Sequence, residues 1–183
     1  MTRSLRLFAV LAFLAASRLA AQDAGPVASL LAKGSNPDGP LATKQVAATD
    51  SLIKRAREQL GRRYRFAAAS PDRGFDCSGL VKYVLQAFGV DLPHNAARIA
   101  REGEAVSADS GALRPGDLLM FGRGRSERIS HVGIYIGDGK MIHASTSQHR
   151  VVEVNVPSKS SSLKLRTIRR VLRDSTTAKN GSE

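Results

Sequence analysis

The stretch "GFDCSGLVKYVLQAFG" (74–89) holds the only cysteine of the chain, Cys77, between an aspartate and a serine, where an apolar helical period begins. An internal disulfide needs a second cysteine, and there is none. Asp76 is a good N-cap residue, which makes Cys77 the first helical residue. There a sulfur meets free backbone N–H groups and the positive end of the helix dipole, and both favour thiolate. The neighbouring carboxylate opposes this somewhat, and Gly79 leaves room for substrate or backbone to approach. A thiolate is a nucleophile, so the chemistry expected is attack of sulfur on an acyl carbon. The bland alternative is a small buried residue at a helix start.

A nucleophile needs a base, and four histidines are available: His94, His131, His143 and His149. His94 follows Leu92-Pro93 and reads as a surface or capping group. His149, in "TSQHR", reads as solvated. His131 and His143 lie in strand-like runs, "HVGIYIG" and "MIHAS", on the two arms of a hairpin. A Cys77/His131/His143 metal site is a competing constellation, but the chain lacks the CxxC or HxxxH spacing of such sites.

The register of that hairpin decides whether the histidines meet. A two-residue Asp138-Gly139 turn pairs Gly137 with Lys140 and Ile134 with His143, leaving the rings on opposite faces. A three-residue Gly137-Asp138-Gly139 loop, with Gly139 left-handed and a bulge, pairs Gly133 with His143. His131 and His143 then become same-face diagonal neighbours about 7–8 Å apart at the backbone. A catalytic role requires the second register, and Gly133 would leave space for a helix start.

The elements that must position these groups follow from periodicity. "DSLIKRAREQLG" places Leu52, Ile53, Ala56 and Leu60 on one helical face, with Gly61 as a stop. Residues 77–88 carry the stripe Leu80, Val81, Val84, Leu85 and Phe88, ended by Gly89. "LPHNAARIAREG" is a short helix with Asn95 as its cap. From "LRPGDLLMF" onward the period becomes two, through "HVGIYIG", "MIHAS", "VVEVNV" and "LKLRTIRRVL". Helices first and strands later make an α+β chain with a core of single-domain size.

Residues 1–21 read as a secretory signal peptide: Arg3 and Arg6, a short apolar run, then small residues with a cut after Ala21. Residues 22–47 read as a flexible linker, 48–174 as the folded domain and 175–183 as a disordered tail. The formal net charge of +12 falls to +9 without the three arginines of residues 1–21, which favours anionic partners. With no tryptophan and only 5% aromatic residues, a base-stacking surface for nucleic acid is not expected.

The ordered set "YRFAAASPDRGFDCSGLV", "LPHNA", "LRPGDLLMF", "HVGIYIGDGKMIHAS" and "IRRVL" resembles the NlpC family of papain-like cell-wall cysteine peptidases, from about Thr49 to Leu172. The resemblance implies an α+β fold in which N-terminal helices, one carrying the cysteine, pack on an antiparallel sheet. It implies Cys77 as nucleophile, His131 as base and His143 as the group orienting the base. Tyr64 matches the family tyrosine near substrate and oxyanion. Asp76 and Ser78 flank the nucleophile as in relatives that recognise stem peptides. The implied activity is cleavage of an amide in peptidoglycan stem peptides, between γ-D-glutamyl and a diamino acid, without metal or cofactor. The expected setting is a secreted or periplasmic monomer of the cell envelope, with no membrane insertion and no nucleic-acid partner. Two departures stand out: "RFAAAS" replaces the glycines usual after the tyrosine, and His94 replaces the usual arginine after "LP". A wall-binding protein without activity and a papain-like amidase or acyltransferase on another substrate are the alternatives.

Overall fold

The computed structural model describes residues 40–108, 111–158 and 160–172. The expected signal peptide, most of the expected linker and the tail lie outside these residues.

Helix α1 spans Pro40–Arg57, so the last eight residues assigned to a linker (40–47) are helical instead. Proline is tolerated in a first helical turn, and alanine at 47 and 48 favours the helix. From Thr43 to Ala47 this part of α1 is largely exposed, so periodicity could not reveal it. Leu52, Ile53 and Ala56 are buried as expected, but Leu60 is exposed. The helix has already ended at Arg57, and a turn puts Gln59 in the buried position. Gly61, at φ 80°, donates its N–H to Val151 O at 2.9 Å and joins this turn to the sheet.

A two-residue hairpin, β1 (Ala69–Ser70) and β2 (Gly74–Phe75), leads into helix α2 (Cys77–Gln86). Leu80, Val81, Val84 and Leu85 of α2 are fully buried, Phe88 beyond its end is half-buried, and Gly89 at φ 75° turns the chain away. Each such buried Leu or Val contributes roughly 1.5–3 kcal/mol relative to exposure. Helix α3 (Ala96–Ile99) is capped by Asn95, whose Oδ1 accepts from Arg98 N at 3.0 Å.

Six antiparallel strands follow: β3 (Glu104–Val106), β4 (Leu118–Arg123), β5 (Ile129–Gly137), β6 (Lys140–Ser145), β7 (Arg150–Asn155) and β8 (Leu163–Arg170). Their order in the sheet is β3-β8-β4-β5-β6-β7. Period two divides the sheet into two apolar faces. Leu118, Met120, Val132, Ile134, Ile142 and Ala144 pack with the helices, while Leu119, Phe121, Met141 and Ile168 form a second cluster on the other face. The "PGD" turn before β4 is locked by a buried ion pair. The Arg170 guanidinium donates to both oxygens of Asp117 at 2.8 Å, and Arg114 N donates to Oδ2 at 2.8 Å.

The β5–β6 hairpin reaches the expected pairing by an unexpected route. Its turn is the two-residue Asp138-Gly139, with φ of 49° and 67°, and Gly137 pairs with Lys140. A bulge at Ile136 then shifts the register, so that Tyr135 faces Met141 and Ile134 faces Ile142. Continuing that register sets Gly133 opposite His143. A Cβ on Gly133 would come within 3.0 Å of Met141 Sδ and 3.4 Å of His143 Cβ. Gly133 therefore makes room for β6 side chains; the helices pack on the opposite face.

Candidate active site

The start of α2 is organised around Asp76. Its Oδ1 accepts from Gly79 N at 2.7 Å and from Ser78 Oγ at 3.0 Å, and lies 2.9 Å from His94 Nε2. Its Oδ2 accepts from Ala67 N at 2.8 Å. One carboxylate thus ties together the helix N-terminus, the loop that precedes it and the segment before α3. Gly79 is required here: a Cβ would come within 2.1 Å of Ala68 O and 2.9 Å of His94 Nε2. Of the two uses expected for that glycine, backbone approach is the one realised. His94, read from sequence as a surface or capping group, instead packs over the helix start. A histidine after a loop proline carries no signal of this, because its partner lies on another element.

Cys77 is half-buried. The backbone N–H groups of Val132, Ser78 and Cys77 itself favour its thiolate, as expected of a helix start. Burial outweighs them, and with the Asp76 carboxylate it pushes the thiol above its ordinary range. Burial therefore works against the thiolate that the helix start favours. The Val132 N–H belongs to the residue after His131, so the thiol meets β5 one residue from that histidine.

His131 and His143 lie 8% and 7% exposed on one face of the sheet, with His131 Nε2 2.7 Å from His143 Nδ1 and the rings edge to face. Phe121, paired with His131 across β4–β5, stands beside its ring. Burial, then His143 and then Arg123, lower His131 to about 3, and burial lowers His143 to about 4. Both are neutral over the physiological range, with a single proton in the bond between them. Among the described residues, no group of three His, Cys, Asp or Glu side chains converges as metal ligands would.

Tyr64 is half-buried and held by its backbone, donating to His149 O at 2.8 Å and bridging to Phe75. Burial raises its hydroxyl, as do the nearby Cys77 and Asp76, while Arg123 acts in the opposite sense. The exposed His149 thus contributes its carbonyl. A cleft of about 590 Å³ opens over the sulfur, with Tyr64, Phe66 and Ala67 on one side, His94 and Asn95 at the α3 end and Arg123 and Arg128 on another. Asp76 and Ser78 line its floor beside Cys77. Ala67 of "RFAAAS" stands at φ 56°, where glycine is preferred, so this loop holds an alanine at the cost of local strain. Arg123 and Arg128, at the turn between β4 and β5, carried no sequence signal, since arginine is common throughout this basic chain.

Residues 61–170 match the profile of the NlpC/P60 family. Over 96 residues the chain is 43% identical to a probable endopeptidase of Mycobacterium tuberculosis, covering 52% of this chain and 23% of that protein. It is 35% identical over 113 residues to a gamma-D-glutamyl-L-lysine dipeptidyl-peptidase of Bacillus cereus, covering 60% of this chain and 33% of that protein. The chain thus matches about a quarter to a third of the length of these relatives. The solved structure of the peptidoglycan hydrolase RipB from Mycobacterium tuberculosis is similar at a TM-score of 0.59 and 27% identity, over 80% of this chain and 78% of that one. With the family profile covering more than half of its length and helices packed on an antiparallel sheet, the chain belongs to the NlpC/P60 family and has its α+β papain-like fold.

Proposed function

We propose that this chain is an exported peptidoglycan endopeptidase, working as a monomer in the cell envelope. It cleaves the amide between γ-D-glutamyl and a diamino acid of stem peptides by cysteine catalysis. The observation that carries this is the buried, hydrogen-bonded pair of His131 on β5 and His143 on β6, with the adjacent Val132 N–H reaching the Cys77 thiol, which itself lines an open cleft. The likeness to a γ-D-glutamyl-L-lysine dipeptidyl-peptidase supports the choice of bond.

The resting thiol must lose its proton as it attacks, because burial disfavours thiolate. His131 accepts that proton through Nδ1, with its Nε2–H donated to His143 Nδ1. His143, being neutral, offers a lone pair that steadies the imidazolium and fixes its tautomer. The sulfur adds to the carbonyl carbon, and the oxyanion meets the Cys77 N–H and the Tyr64 hydroxyl. His131 returns the proton to the departing amine, leaving an acyl-enzyme. It then takes a proton from water, which attacks the thioester and releases the acid.

Digestion of purified peptidoglycan, followed by mass spectrometry of the fragments, tests this reading. New free γ-D-glutamyl carboxyl ends are expected from the wild type. Cys77→Ala and His131→Ala should each lose about 10³-fold or more in rate, with the double variant little worse than either. Full digestion by Cys77→Ala would refute cysteine catalysis, and fragments opened at another amide would refute the substrate assignment.

A further inference from the structure

The cleft lining carries two arginines and a single carboxylate. Arg123 and Arg128 line one side, and the only carboxylate in the lining is Asp76, already engaged by Ala67 N, Ser78 Oγ, Gly79 N and His94. Glu127, the acid nearest in sequence, is turned to Arg166 at 2.8 Å. Among the described residues, neither the Arg123 nor the Arg128 guanidinium has an acidic partner.

The turn that presents them is firmly built. Gly124 N donates to Ser162 O at 3.0 Å, Arg166 Nη2 donates to Gly124 O at 2.9 Å, and Ser126 N donates to Arg123 O at 3.1 Å. The turn folds so tightly over Gly122 that a Cβ there would come within 2.7 Å of Ser126 O. The charge of Arg123 is felt both at the Tyr64 hydroxyl and at the His131 ring. Arg123 is solvent-exposed, and it lines the same cleft as Tyr64 and Cys77. A planar cation without a partner at such a place suits a carboxylate.

Building on the proposed activity, we infer that Arg123, with Arg128 beside it, recognises a free carboxylate of the substrate, the α-carboxylate of the γ-linked glutamyl residue. A γ-linked glutamyl leaves its α-carboxyl group outside the chain, a few bonds from the scissile carbonyl and on the acyl side, and that group is a carboxylate unless it is amidated. A second source of the same chemistry is the side-chain carboxylate of a diamino acid such as diaminopimelate, on the leaving side. The acyl side is favoured because Arg123 lies near both Tyr64 and His131, the groups assigned to the carbonyl and its base.

Four synthetic stem peptides separate these possibilities, with the γ-glutamyl residue as α-carboxylate or α-carboxamide and the leaving residue as lysine or diaminopimelate. The wild type should prefer carboxylate to carboxamide by about 10–100-fold in kcat/KM, the range of a charge-assisted pair. Arg123→Ala should bring the ratio of kcat/KM for carboxylate over carboxamide peptides down to within about twofold of one, whatever common change in rate it makes on all four. Arg123→Lys should keep part of the preference. Thermal melting would confirm that each variant is folded, and Arg123→Gln replaces any that is not. Equal losses on all four peptides, or a loss that follows diaminopimelate, would overturn the inference while leaving the endopeptidase reading intact. Failure of the wild type to cut any of the four would sink both.

Discussion

Two aspartates are buried to a similar degree and satisfied in opposite ways. Asp117, 1% exposed, is gripped by both arms of the Arg170 guanidinium and by the Arg114 N–H. Asp76, 6% exposed, has two backbone N–H groups, a hydroxyl and a histidine, but no permanent cation. The first is neutralised and acts as a lock between the start of β4 and the end of β8. The second stands beside the thiol without a cation partner, where it helps to raise both Cys77 and Tyr64. Each stands in a conspicuous motif, "PGD" and "DCSG", yet one holds the fold and the other shapes the cleft. A buried charge paired with arginine organises structure, while one held by neutral donors leaves its field available to neighbours.

The same change at both positions is the most direct way to break this comparison. Asp117→Ala leaves Arg170 deprived of its buried partner and should cost about 3–5 kcal/mol in chemical denaturation, with turnover per folded molecule nearly unchanged. Asp76→Ala removes a helix cap and should cost only about 1–2 kcal/mol, yet lower turnover at least tenfold through the loosened cleft. Equal stability losses, or a larger loss of turnover per folded molecule at Asp117, would erase the distinction.

Acid offers a gentler separation. The folded pKa values of His131 and His143, about 3 and about 4, lie below the unfolded value of about 6.5. The unfolded chain therefore binds protons that the native pair refuses. Their contribution is full above pH of about 6.5 and is lost as pH falls toward 4 and below. Melting temperature should decline over that window, and His143→Asn should flatten the decline. The acid limb of kcat/KM should lie well below the ordinary histidine range. An unchanged slope in His143→Asn would mean that the histidine pair is not the acid-sensitive part of the cleft.

The smallest effect expected is at Ala67, whose left-handed backbone presents its N–H to Asp76. Ala67→Gly relieves that strain but adds freedom to the unfolded chain, so a net gain of about 0.5–1 kcal/mol is expected, a few degrees in Tm. A loss instead would show that the loop is not strained in solution.

Much of this molecule is written in local pattern. Asp76 and Asn95 as caps, the α2 stripe from Leu80 to Leu85, Gly89 as a stop and the strands from "LLMF" onward follow from side-chain size, backbone freedom and period, whereas the first helix ends at Arg57, short of the expected stop at Gly61. The residues able to do chemistry, Cys77, His131 and His143, were legible because their types are few and their positions odd for a core. What tertiary structure alone decided is how these pieces meet. The Asp138-Gly139 pair takes the two-residue turn that its chemistry favours, which by itself would separate the histidines. The bulge at Ile136 supplies the other parity, so that Ile134 and Ile142 share the helix-facing side and the two histidines share the other. His94 reaches Asp76 and Arg123 faces the cleft only because distant segments converge, so no local rule could assign them. The balance between thiol and thiolate at Cys77 is beyond local pattern for the same reason. A helix start stabilises a thiolate locally, but desolvation is set by everything packed around the sulfur, and here desolvation is the larger effect.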